Sequence, residues 1–186
     1  AMIAELGLAA LWLAASLALM QFLLAALGLK QGKEELLAGV RPLAVAQALL
    51  VALAFLCLIL LFLRSDMSVQ LVAMNSHSAK PWLYKFAGTW GNHEGSMLLW
   101  VTVMGVAGAG VALLERALRR DTHMATLGAQ AAISLGFYAF LLFASNPFAR
   151  LNPPAPDGQG LNPLLQDPGL AFHPPTLYLG YVGLSV

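Results

Sequence analysis

Leu43 to Leu63 reads LAVAQALLVALAFLCLILLFL, a stretch without a charge in which Gln47 is the one strongly polar side chain. A helix needs about 20 predominantly apolar residues to cross a hydrocarbon core of ~30 Å at 1.5 Å per residue, and this stretch meets that length. Working outward, Leu6 to Leu29, Ser96 to Leu114 and about Met124 to Ala144 satisfy the same criterion. A further apolar segment opens at about Thr176 and reaches Val186, roughly 10 residues or about half a crossing. The expected fold is therefore all-α: a polytopic membrane helical bundle forming a single transmembrane domain over 1–186. Four complete transmembrane helices (6–29, 43–63, 96–114 and 124–144) precede the start of a fifth (176–186), and this start implies that the chain is part of something longer.

Composition supports the class and excludes others. Hydrophobic residues make up 59% and charged residues 10% of the chain, and the mean hydropathy is +0.74. Such a mixture belongs in a lipid bilayer rather than in water. The net charge of +1 is scattered in small clusters at the ends of apolar stretches, so no basic surface exists to neutralise a row of phosphates and nucleic acid is not an expected partner. The one cysteine, Cys57, lies inside an apolar stretch and has no second thiol in this chain to pair with. The first apolar stretch lacks the charged start, short core and small-residue cleavage site of a secretory signal, and reads as a retained helix.

Lysine and arginine close to helix ends set orientation. Lys30, Lys33 and Arg41 crowd the short first loop, and Arg116, Arg119 and Arg120 crowd the short third. Those loops should face the cytoplasm, leaving the N-terminus and the long loops 64–95 and 145–175 on the outer side. Small residues at four-residue spacing, Gly128/Ala132/Gly136, Gly105/Ala109 and Gly108/Ala112, predict faces that contact neighbouring helices. Gln47, Gln130 and Ser134 are expected to hydrogen-bond between helices. The middle of the helices carries no charge, which disfavours an ion-coupled pump or channel.

The first outer loop is aromatic, passing through Trp82, Tyr84, Phe86 and Trp90 to His93 and Glu94. Two readings stand: rings anchoring the protein at the headgroup level, or a platform for a flat apolar ligand. Asn92 or His93 at the mouth of the third long helix is explained by capping, and Glu94 by the positive helix end. The second outer loop holds eight of the ten prolines. It ends Phe172-His173-Pro174-Pro175-Thr176-Leu177-Tyr178-Leu179-Gly180-Tyr181. A residue before proline is held extended, and proline suits the first position of a helix, so His173 sits on a stiffened backbone at the membrane surface. It is placed either to ligate a metal as a neutral imidazole or to hydrogen-bond within the loop. All four histidines, His77, His93, His123 and His173, lie in loops or at helix ends, so no axial pair for haem at depth is present in this stretch.

Together, Trp90-Gly-Asn-His-Glu-Gly-Ser-Met-Leu-Leu-Trp100, Asn146-Pro147-Phe148, Leu161-Asn-Pro-Leu-Leu-Gln-Asp-Pro168 and the His173 segment resemble the cytochrome c maturation haem lyases (the CcmF type), including their relatives in nitrite-reductase assembly. The resemblance covers the whole chain from Met2 onward. It implies a bacterial inner-membrane protein with a periplasmic N-terminus. Such a protein receives haem from a periplasmic haem chaperone, works with other cytochrome c maturation membrane subunits and promotes thioether attachment of haem to apocytochrome c. It implies one haem axial ligand here, His173, with Phe172, Tyr178, Tyr181, Trp82, Trp90 and His93 as candidate contacts to haem or to a partner. A tryptophan-rich segment, a second periplasmic histidine and the intramembrane histidines of a b-type haem are implied only beyond Val186, so this stretch alone is expected to be inactive. No catalytic acid or base is implied, because the reaction asks chiefly for positioning. The competing reading is a non-catalytic membrane scaffold or transporter subunit that docks periplasmic partners.

Overall fold

The computed structural model describes residues 2–64, 66, 68–75, 83, 85, 89, 93–114, 119–144 and 146–149. Their order is α1 (Met2–Gln31), α2 (Glu34–Leu37), α3 (Val40–Leu63), α4 (Gln70–Asn75), α5 (His93–Leu114) and α6 (Arg120–Phe143). Four of these elements are long and apolar enough to cross a membrane. Each long helix runs a turn or so past the apolar stretch at one or both ends. At 30 residues α1 is about 45 Å long, enough for the hydrocarbon core together with the headgroup layers. Its polar ends are placed accordingly, with Glu5 in the first turn and Lys30 in the last, each at the end its charge favours. Gly32, at φ +65°, closes α1, and Lys33 N–H donates to the Gly28 carbonyl at 3.0 Å, the left-handed closure that glycine allows. Pro42 falls in the first turn of α3, where its missing N–H breaks no helical bond.

The long helices run up and down around a square. α1 packs against α3 and α6, α5 packs against α3 and α6, and α3 meets α6 across the diagonal. Lipid is as apolar as leucine, so close approach of backbones and hydrogen bonds between helices have to supply the association. On α1 the inward seam is Ala4, Gly7, Leu11, Ala14, Ala18, Gln21, Ala25 and Gly28, all buried. Its alternating steps of three and four are the seven-residue repeat that keeps one seam facing its partners. α6 has the same rhythm in Met124, Leu127, Ala131, Ser134, Tyr138 and Leu141.

Among the described residues that rhythm takes up only part of the four-residue stripe on α6. Gly128 is buried against Ala25, whereas Ala132 and Gly136 are exposed and a side chain at 136 would meet nothing. Four residues turn a helix by more than one full turn, so a stripe with that spacing walks off the interface after one step. On α5 the two glycines face different neighbours, Gly105 lying against Val51 and Ala48 of α3 and Gly108 against Gln130 of α6.

Two apolar cores fill the square. One, at the Phe148 end, includes Leu11, Cys57, Phe62, Val72, Leu98 and Tyr138; the other, at the basic end, includes Ala25, Val40, Ala112, Met124 and Leu127. A polar network lies with them. Gln21 Nε2 donates to the Leu127 carbonyl at 2.7 Å and to Gln130 Oε1 at 3.1 Å. Gln130 Nε2 donates to Ser134 Oγ at 3.1 Å, and the Ser134 hydroxyl donates to Met104 Sδ at 3.4 Å. Across the diagonal, Gln47 Nε2 donates to the Tyr138 hydroxyl at 2.9 Å.

Interhelical bonds of this kind contribute about 0.6–2 kcal/mol in membranes, and a buried polar group stripped of its partner costs about 1–3 kcal/mol. Gln130→Leu is accordingly expected to destabilise the full-length protein by about 1–2 kcal/mol, and Gln21→Leu in the same background to recover part of that loss. Detergent-driven unfolding of the two single variants and the double variant measures the coupling. Single effects that merely add would show that the two amides do not interact.

Candidate functional site

The end of the bundle away from the basic loops is built from the start of α1, the end of α3, α4, the start of α5 and the turn that follows α6. Beyond α3 the chain folds back on itself: Asp66 N–H donates to the Leu61 carbonyl at 3.0 Å, and Asp66 Oδ1 accepts from the Ser68 N–H at 3.1 Å and from its hydroxyl at 2.5 Å. This turn delivers Val69, fully buried, and then α4. After α6, Asn146 Oδ1 accepts the Phe148 N–H at 2.9 Å, an aspartate-type turn made by the asparagine side chain. Gln70 N–H, at the head of α4, donates to the Ala149 carbonyl at 2.8 Å. The roots of both long loops are thus joined by a backbone bond. The aromatic pairs flank this region, with Trp12 edge-on to Phe143 at 5.5 Å between centroids and Trp100 stacked with Phe137 at 5.7 Å.

The opposite end carries Lys30, Lys33, Arg41, Arg119 and Arg120. Here the last carbonyls of α5, which have no partner within the helix, are taken from outside: Arg41 Nε donates to the Ala112 carbonyl at 2.6 Å, and His123 Nε2 lies 2.9 Å from the Val111 carbonyl. That geometry makes Nε2 the protonated nitrogen and assigns His123, buried between the helices, to helix capping. Arg120 pairs with Glu34 over a cavity of about 630 Å³ that Gly28, Leu29 and Leu37 also line. Among the described residues no group of three or more His, Cys, Asp and Glu is arranged to hold a metal.

Trp82, Trp90, Phe172, His173, Tyr178 and Tyr181 lie outside the described residues, as do the segment 176–186 and nearly all of the loop 145–175. His93 is the first residue of α5, with its side chain outside the description. Gln21, Tyr138 and the pairing of Phe148 with Gly7 are not among the sequence expectations. Gln21 had a signal, being the one polar residue in the three-and-four seam of α1. Phe148 had none, because its partner is 141 positions away in the chain and only the closed square brings them together.

Comparison with known proteins bears on this geometry. The family model described as cytochrome C assembly protein matches residues 90–186, a little over half the chain. The cytochrome c-type biogenesis protein ccl1 of Rhodobacter capsulatus is 50% identical over 185 residues, covering 100% of this chain and 28% of that relative. The cytochrome c-type biogenesis protein CcmF of Pseudomonas aeruginosa is 50% identical over 186 residues, with the same coverage of 100% and 28%. A solved structure of cytochrome c heme lyase CcmF superposes with a TM-score of 0.86 at 28% identity, covering 99% of this chain and 29% of that one. The chain therefore spans a little over a quarter of the length of the relatives it matches.

Proposed function

Since the chain belongs to the cytochrome C assembly protein family, we propose that it is part of a haem lyase subunit, one that receives haem from a periplasmic haem chaperone and promotes its thioether attachment to apocytochrome c. The observation that carries this reading is the whole-chain identity of 50% to cytochrome c-type biogenesis proteins, joined to the His173-Pro174-Pro175-Thr176 segment inside the matched region. The basic end, with Lys30, Lys33, Arg41, Arg119 and Arg120, faces the cytoplasm, and the Phe148 end faces the periplasm of a bacterial inner membrane.

The chemistry adds each cysteine S–H across one haem vinyl group. Sulfur bonds to one vinyl carbon, hydrogen ends on the other, and nothing leaves. Such an addition asks the protein to hold a flat substrate and two thiols in register, and positioning of this kind supplies several kcal/mol of a barrier. In this reading His173 ligates the haem iron and fixes the haem plane, while Phe172, Tyr178, Tyr181, Trp82, Trp90 and His93 are candidates to line its faces or contact a partner. Haem is the substrate here. The resident b-type haem of the full-length protein is, in this reading, held by histidines outside this stretch. Other maturation subunits of the membrane and the apocytochrome complete the assembly.

Full-length protein in membranes, given haem-loaded chaperone and reduced apocytochrome bearing Cys-x-x-Cys-His, should yield haem that stays with the cytochrome through acid extraction. Haem that moves to the apocytochrome but extracts freely would assign the protein to delivery or scaffolding and overturn the lyase reading.

A further inference from the structure

We propose that Phe148 is a positioning residue: seated over Gly7, it clasps the roots of the two periplasmic loops together and so sets the surface on which haem is held. This rests on the reading of that end as the haem site. The ring is 3% exposed, although it belongs to a turn outside the helices. A side chain at position 7 would put its first carbon 2.5 Å from Phe148 Cε1, 2.6 Å from Cζ and 3.0 Å from Cys57 Cβ. The ring therefore occupies the volume that any residue other than glycine would fill, wedged between α1 and α3 beside the buried thiol.

Three backbone devices hold it there. The Asn146 carboxamide oxygen and carbonyl accept the N–H groups of Phe148 and Ala149, at 2.9 and 3.3 Å. Pro147, between them and buried, fixes its own φ. The Ala149 carbonyl takes the Gln70 N–H at the head of α4, a donor that a helix start leaves without an internal acceptor. The last bond ties the first loop to the second, and Val69, next in the chain to Gln70, shares the apolar core with Phe148. The aromatic loop and the loop that carries His173 consequently leave the bundle from one shared point.

Cys57, the single cysteine of this chain, reports on the clasp. In full-length protein in membranes, Phe148→Ala should raise maleimide labelling of Cys57 several-fold, with a Cys57→Ser control subtracting any other thiol. It should also lower the outer-site haem absorption per folded protein several-fold. Phe148→Leu, which keeps apolar bulk, should restore most of both. Labelling that rises while haem per folded protein holds would make the ring mere packing and overturn the proposal, as would unchanged labelling. His173→Ala run beside them separates the two ideas: loss of haem there with none in Phe148→Ala sinks the clasp alone, and normal haem in His173→Ala sinks the site reading beneath it. If Phe148→Ala does not accumulate, Gly7→Ala, which expels the ring by collision, is read by the same two measures.

Discussion

Full-length protein carrying His173→Ala is expected to bind haem at its outer site at least about tenfold more weakly and to lose most of its cytochrome c yield. Removing a group that only supports a metal ligand typically lowers affinity 10- to 100-fold, and this substitution removes the proposed ligand itself. The two following prolines provide a graded companion. Pro174→Ala with Pro175→Ala keeps the imidazole but returns backbone freedom that each proline had removed, about 0.4–1 kcal/mol per site. That combination should weaken haem binding by a few-fold and leave the absorption signature of histidine ligation in place. Haem titration of the purified variants, read by optical spectra, measures both. A normal affinity in His173→Ala would remove this residue from the site, and an altered ligation signature in the proline pair would show that the prolines do more than stiffen.

The second large effect is on the bundle itself. Gly108→Leu is expected to destabilise the protein by about 2–4 kcal/mol. The first carbon of any side chain there would stand 2.8 Å from Gln130 Cδ and 3.0 Å from its Oε1. A leucine must push α5 from α6 or drive Gln130 off its partners. Overpacking of this sort costs about 1–3 kcal/mol, and orphaned amides add to it. Because Gln130 also accepts from Gln21 and donates to Ser134, the damage reaches α1. Gly110→Leu makes the matched control, since nothing lies within 4 Å of a side chain at that position. Detergent-driven unfolding that ranks the two variants equally would show that the α5–α6 approach is not as close as these distances state.

The crossings were legible because spanning is a property of length and polarity along one dimension: Leu43 to Leu63 declares itself without reference to any neighbour. Gln47, Gln130 and Ser134 were also legible as interhelical bonders, since an amide at depth must find a partner. Which partner it finds was not. Tyr138 answers Gln47 only because α3 and α6 meet across the diagonal, and Gln21 answers Gln130 only because α6 returns to α1. Gly136, whose spacing suits a helix contact, lies on a face of α6 that the described helices leave uncovered. His123 reads as a loop residue until the start of α6 is seen beside the end of α5. The proposal of His173 as haem ligand rests on a motif, His173-Pro174-Pro175-Thr176, rather than on any pattern of burial or spacing.

Arg41 and Ala112 stand 71 positions apart, yet the guanidinium of one closes the helix end of the other. The bond can form only once the third long helix has been made and its last turn stands beside the start of α3. The cation thus acts as a latch that one helix start places on the carbonyl end of a neighbour. Half-buried at that junction, it links two helices that the chain lays down far apart in sequence.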